Sequence, residues 1–391
     1  MLTYEEALEI VLRHSSRFPH ELVPICHCLG RVLASDVQAP IDLPPFDNSS
    51  VDGYAVGSLD GTQFTIVGEL AAGSAEEVAL LKGTACRVFT GSRLPSGTLA
   101  VLMQESIIEE NGKIVLNEAI IADSYIRRQG EELRAGDVVI RQGTWITPPV
   151  LGMLATLGLS AIDCSKLPEV SVVGTGSELV SPGEALRLGQ VYESNTYGVQ
   201  AAVRALRIEA VSICRVADDL QETKAVFGRL LRTSDVLLVC GGMSVGDHDY
   251  ARPALEAIGV RELIWRVKIK PGKPFYFGIA PAGQLVFGLP GNPVSALVTF
   301  TLFVKPAISK MIGRDLGTWV SVRAGELLRG SKDRDEFARA QVRDNAVYLC
   351  RGQGSHMLSG LAMADTLVRI PADATIQPGE PAEVIHLNWH G

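Results

Sequence analysis

The sequence predicts a multidomain α/β plus β protein: a split helical domain with a β insert, a doubly wound parallel α/β domain, and a small C-terminal β-barrel. Three observations lead there. At 391 residues and 41.9 kDa the chain exceeds the size at which one hydrophobic core keeps growing, so several domains are expected. From Glu169 onward, apolar strand patterns alternate with amphipathic helix patterns, the mark of parallel βαβ units. On either side of that stretch, short segments of alternating polarity are separated by Gly, Asn, Ser and Pro turns, as in all-β domains. The expected boundaries are 1–45 with 137–166 for the split helical domain, 46–136 for the inserted β domain, 167–317 for the α/β domain and 318–391 for the barrel.

Thr3-x-x-Glu6 has the spacing of a capping box, and Ala7, Ile10 and Val11 follow at helical spacing, so the chain opens with a helix. Next comes PICHCLG, read as a short β-like segment in which Cys26 and Cys28 face away from His27. That geometry favours ordinary packing over a zinc site. The seven cysteines show neither a CxxC motif nor a paired framework, which suits a reducing compartment. Segments such as Phe64-Thr65-Ile66-Val67 and Gly112-Lys113-Ile114-Val115-Leu116 make the inserted block all-β, and TPPVLGMLATLGL returns to helix before Pro168.

In the α/β block, EVSVVGTG is an apolar strand ending in glycines, and Asn195 or Thr196 can cap a helix through Leu206. IEAVSICRVA is a second strand, DLQETKAVFGRLLRTS a second helix and DVLLVCGG a third strand. A further helix spans ARPALEAIG, strands lie around LIWRVKIK and QLVFGLPG, and a long helix starts at Pro293. Past Thr318 the strands TWVSVRAGEL, FARAQVRD, AVYLC, DTLVRIP and AEVIHLNW fit a small barrel or sandwich.

Ligands of doubly wound sheets bind outside the carboxyl ends of the strands. Four such ends, GTGSE, GGMSVGDHD, IKPGKP and GLPGNPVSA, leave their strands through glycine or a rigid turn and are expected to converge. Glycine lets the backbone approach a ligand closely, and Pro293 sits in a first helical turn whose free N–H groups suit an anion. IKPGKP holds Lys270 and Lys273 three residues apart, although ordering a lysine side chain costs up to ~2 kcal/mol of rotamer entropy. An anion is the natural counterpart. Asp218, Asp249 and Glu178 fall at or just beyond strand ends, where a magnesium ion beside a pyrophosphate takes one or two carboxylates plus substrate oxygens; Asp247 lies close enough to share that role, and plain surface solvation is the alternative for each.

Other classes are disfavoured. Gly174-x-Gly176 lacks the third glycine of a dinucleotide fingerprint, with Leu179 in its place, and no GxxxxGK[ST] occurs. A formal net charge of −8 argues against general nucleic-acid binding. MLTYEEALEI has no basic stretch followed by an apolar core, and the apolar run from Val294 to Val304 falls short of the ~20 residues that cross a bilayer, so a soluble cytoplasmic protein with no membrane partner is expected.

LPPFDNSSVDGYAV at 43–56, VFTGSRLPSG at 88–97, RRQGEEL at 127–133, TGSELV at 175–180, GGMSVGDHDY at 241–250, KPGKP, GLPGNPVSA and GQGSHMLSGLAMAD resemble, in collinear order over nearly the whole chain, the molybdopterin molybdotransferase family. These are the MoeA-type proteins related to the E domain of gephyrin. The resemblance implies that the α/β domain is of the molybdopterin-binding type. It further implies an elongated homodimer that inserts molybdate into adenylylated molybdopterin and releases AMP with Mg2+. The implied partners are the molybdopterin adenylyltransferase and molybdoenzyme maturation proteins.

Carried over by motif, the resemblance adds Ser295, Arg339 and Ser355 to the two lysines as ligands of the dianionic oxoanion, with a cap as the ordinary alternative for each serine. Gly242 and Ser244 of GGMSVG and Pro290, Gly291, Asn292 and Pro293 of GLPGNP become substrate-binding positions. Asp52, Thr90 and Glu132 line the cleft from the other subunit; a turn ahead of Gly53 is the alternative for Asp52. Three positions depart from the family pattern. Glu132 stands where aspartate is common, moving the charge roughly 1.5 Å; Leu99 replaces an acidic residue, and Arg266 stands where some relatives have lysine. A scaffold that kept the fold and lost the reaction is the second reading, against which the intact lysines, acids and GLPGNPVS weigh. A nucleotide phosphotransferase has no phosphate loop to support it.

Overall fold

The computed structural model describes residues 1–208, 210–243, 249–314, 317, 319–387 and 389. Ser244 and Asp247, both expected in the site, lie outside the described residues. The chain forms two compact units, one of Met1–Ala34, Gly143–Pro148 and Ala161–Gly391, the other of Ser35–Gln142 and Pro149–Ser160.

The first unit is organised by a six-stranded sheet. Its order is Ala210–Val216, Val170–Thr175, Val236–Cys240, Leu285–Leu289, Tyr276–Ile279, Arg261–Trp265. The first four strands are parallel, and the last two join antiparallel, so the sheet is mixed at one edge. Its central strands are buried at every residue, as the apolar runs VLLVC and LVFGL require of strands covered on both faces. Side chains alternate between two cores. Val170, Val172, Val236, Leu238, Phe287 and Leu289 pack on one side, Val173, Leu237, Val239 and Val286 on the other. The first side is covered by helices Tyr4–His14, Asn195–Arg204 and Pro293–Thr299 with its continuation to Met311. The second is covered by Leu220–Leu231 and Ala251–Ala257. At roughly 25 cal/mol per Å² of apolar surface removed from water, these two layers dominate the stability of the unit.

Local signals explain the helix ends. Thr3 and Glu6 form the expected capping box, and Asp219 accepts from the Glu222 N–H at the start of Leu220–Leu231. The helix expected to start at Asn195 or Thr196 is instead preceded by Ser194 at the N-cap, without a side-chain bond of its own. Glu193 takes over by accepting from the Thr196 N–H at 2.8 Å.

The C-terminal strands close a five-stranded barrel: Asp335–Arg343, Ala346–Leu349, Val320–Ala324, Pro381–His386 and Thr366–Ile370, which pairs back to Asp335–Arg343. A two-residue strand, Ile269–Lys270, adds to it in parallel beside Asp335–Glu336. The long apolar helix Pro293–Met311 satisfies the length and composition of a membrane span, yet most of it is buried within the chain.

The second unit is built on a six-stranded sheet ordered Ala100–Met103, Gly53–Val56, Thr84–Val88, Gln63–Leu70, Lys113–Val115, Ile108–Glu110. Gly53 is required there, because a Cβ would lie 1.9 Å from the Leu102 carbonyl oxygen.

One local reading is corrected. PICHCLG is not β-like: Ile25–His27 is a single 3-10 turn that Cys28 continues in the helical region. Cys28 turns inward, its thiol donating to the carbonyls of Val23 and Pro24, while Cys26 is exposed. Pro24 fixes the turn entry, and seven residues are too few for side-chain alternation to separate strand from turn.

Candidate functional site

Three of the four expected strand ends leave the parallel sheet and meet; the fourth, IKPGKP, leaves the barrel strand Ile269–Lys270 instead and reaches them through Pro274. A cleft of about 320 Å³ opens at the carboxyl edge of the parallel strands, lined by Thr175, Gly176 and Glu178 of GTGSE, Gly241, Gly242 and Asp249 of the GGM turn, Pro274 of IKPGKP, and Pro290 and Gly291 of GLPG, together with Asp218. Glycine is obligatory at two of these positions. Gly241 and Gly242 have φ of 94° and 63°, and a Cβ on either would press within 3 Å of Thr175. The backbone is thereby free to meet a ligand without side chains between.

Carboxylates rim this cleft. Asp218 is braced by Ser177, which donates its N–H to the carboxylate at 2.9 Å and accepts the Asp218 N–H on its hydroxyl at 3.0 Å. Glu178 folds back over Gly176, where a Cβ would come within 2.6 Å of its carboxylate. Asn195, whose only foreseen role was a cap, instead spans to the last turn. Its Nδ2 donates to the Gly291 carbonyl at 2.7 Å, and its Oδ1 is a buried acceptor with no partner among the described residues. Among the described residues no three acidic, histidine or cysteine side chains lie close enough to hold a metal unaided.

The residues expected around the oxoanion occupy several settings. Lys270 Nζ donates to Glu336 Oε2 at 3.2 Å, and Ser331 donates to the same oxygen at 2.8 Å. Lys273 is exposed, and its ammonium has no ion pair among the described residues. Ser295 is buried in the first turn of the helix that Asn292 caps and Pro293 begins. Arg339 differs most from its expected role as a fork for the oxoanion. It is 1% exposed, its Nη2 donates to the carbonyls of Gly352 (2.8 Å) and Gly354 (3.2 Å), and burial lowers its pKa. Gln353 completes the brace, bonding the Arg339 N–H and carbonyl. Arg339 therefore shapes the loop that carries Ser355 from beneath.

In the second unit, Asp52 and Thr90 form one device. The Thr90 N–H and hydroxyl both donate to Asp52 Oδ1 at 2.8 Å, and these two bonds hold the exposed carboxyl below its ordinary range, the N–H contributing most. Glu132 is exposed, with its N–H bound to the Leu43 carbonyl.

Three family models match the chain in order: the MoeA N-terminal region (domain I and II) over residues 2–158, a probable molybdopterin binding domain over residues 171–310, and the MoeA C-terminal region (domain IV) over residues 321–387. The molybdopterin molybdenumtransferase of Haemophilus influenzae is 34% identical, with 99% of each chain aligned. The chain belongs to the molybdopterin molybdenumtransferase family. Its counterpart of that name from Synechococcus elongatus is 36% identical over 79% of this chain and 80% of its own. The crystal structure of the molybdopterin biosynthesis moeA protein from Pyrococcus horikoshii OT3 superposes with a TM-score of 0.82 at 29% identity, covering 98% of this chain and 99% of that one.

For a member of the molybdopterin molybdenumtransferase family, the cleft thus falls in the segment matched as a probable molybdopterin binding domain. Sequence reasoning missed Asn195, Ser177 and Gln353. Their signals are weak: an Asn at a helix start and a Ser after glycine read as local caps, whereas here they bond to groups 96 and 41 residues away.

Proposed function

We propose that the chain transfers molybdenum, supplied as molybdate, to the dithiolene sulfurs of adenylylated molybdopterin and releases AMP. One observation carries the reading: the glycine turns and carboxylates of four strand ends form one cleft in the family's molybdopterin-binding segment. Glycine at 241 and 242 leaves room for phosphate oxygens, since no side chain stands between them and the strand ends. Acidic side chains beside a pyrophosphate would repel it unless a cation lies between them, which favours Mg2+ held by Asp218 and Asp249 with substrate oxygens completing the shell. The donor set fits such an ion, because Mg2+ normally takes only one or two protein carboxylates beside phosphates. When bound, the ion would offset the charge of the phosphates and of the departing AMP.

The chain's own residues orient the rest. The Asn195 amide fixes the Gly291 turn at the cleft wall. Lys273 supplies an exposed charge for the oxoanion. Lys270, tied to Glu336, places the turn, and Arg339 holds the loop of Ser355. Asp52, Thr90 and Glu132 act from the second subunit of a homodimer in the cytoplasm. Adding molybdate to purified protein loaded with adenylyl-molybdopterin should release AMP. A dimer that binds the nucleotide and never releases AMP would instead be a scaffold.

A further inference from the structure

The first unit contains a second cavity, about 880 Å³, that shares none of its lining with the strand-end cleft. Its volume lies within the usual range for small-molecule sites. Trp145 and Trp319 form part of its wall, with Leu8 and Ile146. Its charge is one-sided: Arg207, Lys305, Arg314 and His386 line it, and no Asp or Glu does among the described residues. In a chain of net charge −8 that segregation is unexpected on composition alone.

One helix face feeds the cavity. Thr301, Lys305 and Ser309 stand four residues apart on the otherwise apolar helix Pro293–Met311, and all three line the cavity. The helix widens into a π-turn over Phe300–Val304, just before Pro306, whose ring and missing N–H interrupt the regular ladder. Such turns inside helices concentrate at functional sites. Burial, and then the neighbouring Arg314 guanidinium, push the Lys305 ammonium below its ordinary pKa. Arg314 itself lies over the Trp145 ring, 3.8 Å from its centroid. Two partly buried like charges face one space, and neither has an anionic partner among the described residues. A buried charge is costly unless paired.

We propose that this cavity binds a small organic oxyanion with a flat apolar body, its acidic head held by Lys305 and Arg314 and its body set against Trp145 and Trp319. The anion relieves the repulsion between the two cations, and the indole faces give the site its preference for a planar ligand.

Fluorescence titration of the full chain with anilinonaphthalene sulfonate, compared with the neutral phenylnaphthylamine, tests this. The sulfonate should bind at one site per chain. Lys305→Met and Arg314→Gln should each weaken it by roughly 10- to 150-fold, as expected for loss of a charge-assisted contact, and leave the neutral dye unchanged. Equal affinity for both dyes in the wild type, or sulfonate binding that survives both substitutions, overturns the proposal. Thermal melting gives a separate readout. Removing an unpaired, partly buried charge should raise the melting temperature of Lys305→Met, whereas a fall would mean that Lys305 is paired within the fold and that the cavity has no cationic head group to offer.

Discussion

Asp218 and Ser177 exchange two hydrogen bonds across the ends of neighbouring parallel strands, N–H to carboxylate at 2.9 Å and N–H to hydroxyl at 3.0 Å. The serine thereby fixes where the aspartate points. Ser177→Ala keeps the N–H that holds the carboxylate and loses the hydroxyl that accepts the Asp218 N–H, so it should cost about 0.5–1.5 kcal/mol in denaturant unfolding and raise the magnesium concentration needed for AMP release only slightly. Asp218→Asn should raise it further. An unchanged magnesium requirement in Asp218→Asn would reduce this pair to a loop brace.

The two lysines of IKPGKP should separate in their effects. Lys273→Ala removes an exposed charge with no ion pair among the described residues, so stability should hold while half-saturation by molybdate rises by roughly 10- to 150-fold. Lys270→Ala leaves Glu336, only 13% exposed at its side chain, without its cation. It should also lose up to about 1 kcal/mol of stability, a small figure because the lysine end is half in solvent. Molybdate titrations at fixed nucleotide, read beside chemical denaturation, distinguish the two.

Arg339→Lys should behave as a structural lesion. The Arg339 Nη2 that bonds both carbonyls stands one bond further from the backbone than a lysine ammonium reaches, and a buried acceptor left without a donor costs about 1–3 kcal/mol. The loop at 352–355 should then gain amide hydrogen exchange. A normal melting temperature with an altered molybdate dependence would return Arg339 to direct contact with the oxoanion.

Asp52 offers a pH test. Its carboxyl is held below the ordinary range by Thr90, so ionisation favours the folded state. That contribution is present above the unfolded value near pH ~3.9 and is lost as pH falls through the lower folded value. Carboxylate carbon NMR should place the Asp52 midpoint below that of a free aspartate. Thr90→Val, which removes the hydroxyl and keeps the N–H, should move the midpoint upward but not fully back. A midpoint unmoved by Thr90→Val would show that the hydroxyl bond is not formed in solution.

If the site is composite, inactive variants should complement. Asp52→Asn mixed with Asp249→Asn gives heterodimers with one intact site of two, so random mixing should restore about a quarter of wild-type AMP release. No recovery from two well-folded variants would place all the machinery within one subunit.

Much of the fold was legible because burial leaves a mark in the residues. VLLVC and LVFGL are continuous apolar runs, and such strands can sit only inside a covered sheet. Tyr276–Ile279 was passed over because KPGKP runs straight into FYFGI, so the turn signal hid the start of an edge-side strand. Helix Leu358–Ala362 was also missed: five residues carry too little periodicity to register. The strand-end motifs pointed to the cleft, since glycine at a strand exit has few purposes other than close approach. Arg339 shows the limit. Its residue type suits an oxoanion, but its partners are carbonyls that enter through a loop 13 and 15 residues further on, and only the closed barrel decides that they face inward.

The short strand Ile269–Lys270 is stitched to the barrel through Asp335 and Glu336, and four residues later Pro274 forms part of the cleft wall. Four residues reach at most ~14 Å even when fully extended, and two prolines and a glycine leave this segment little slack. The barrel is therefore on a short leash to the cleft. Whatever coupling this segment carries between Pro274 and the barrel is reciprocal: a ligand at the cleft and a partner on the barrel change each other's affinity by the same factor.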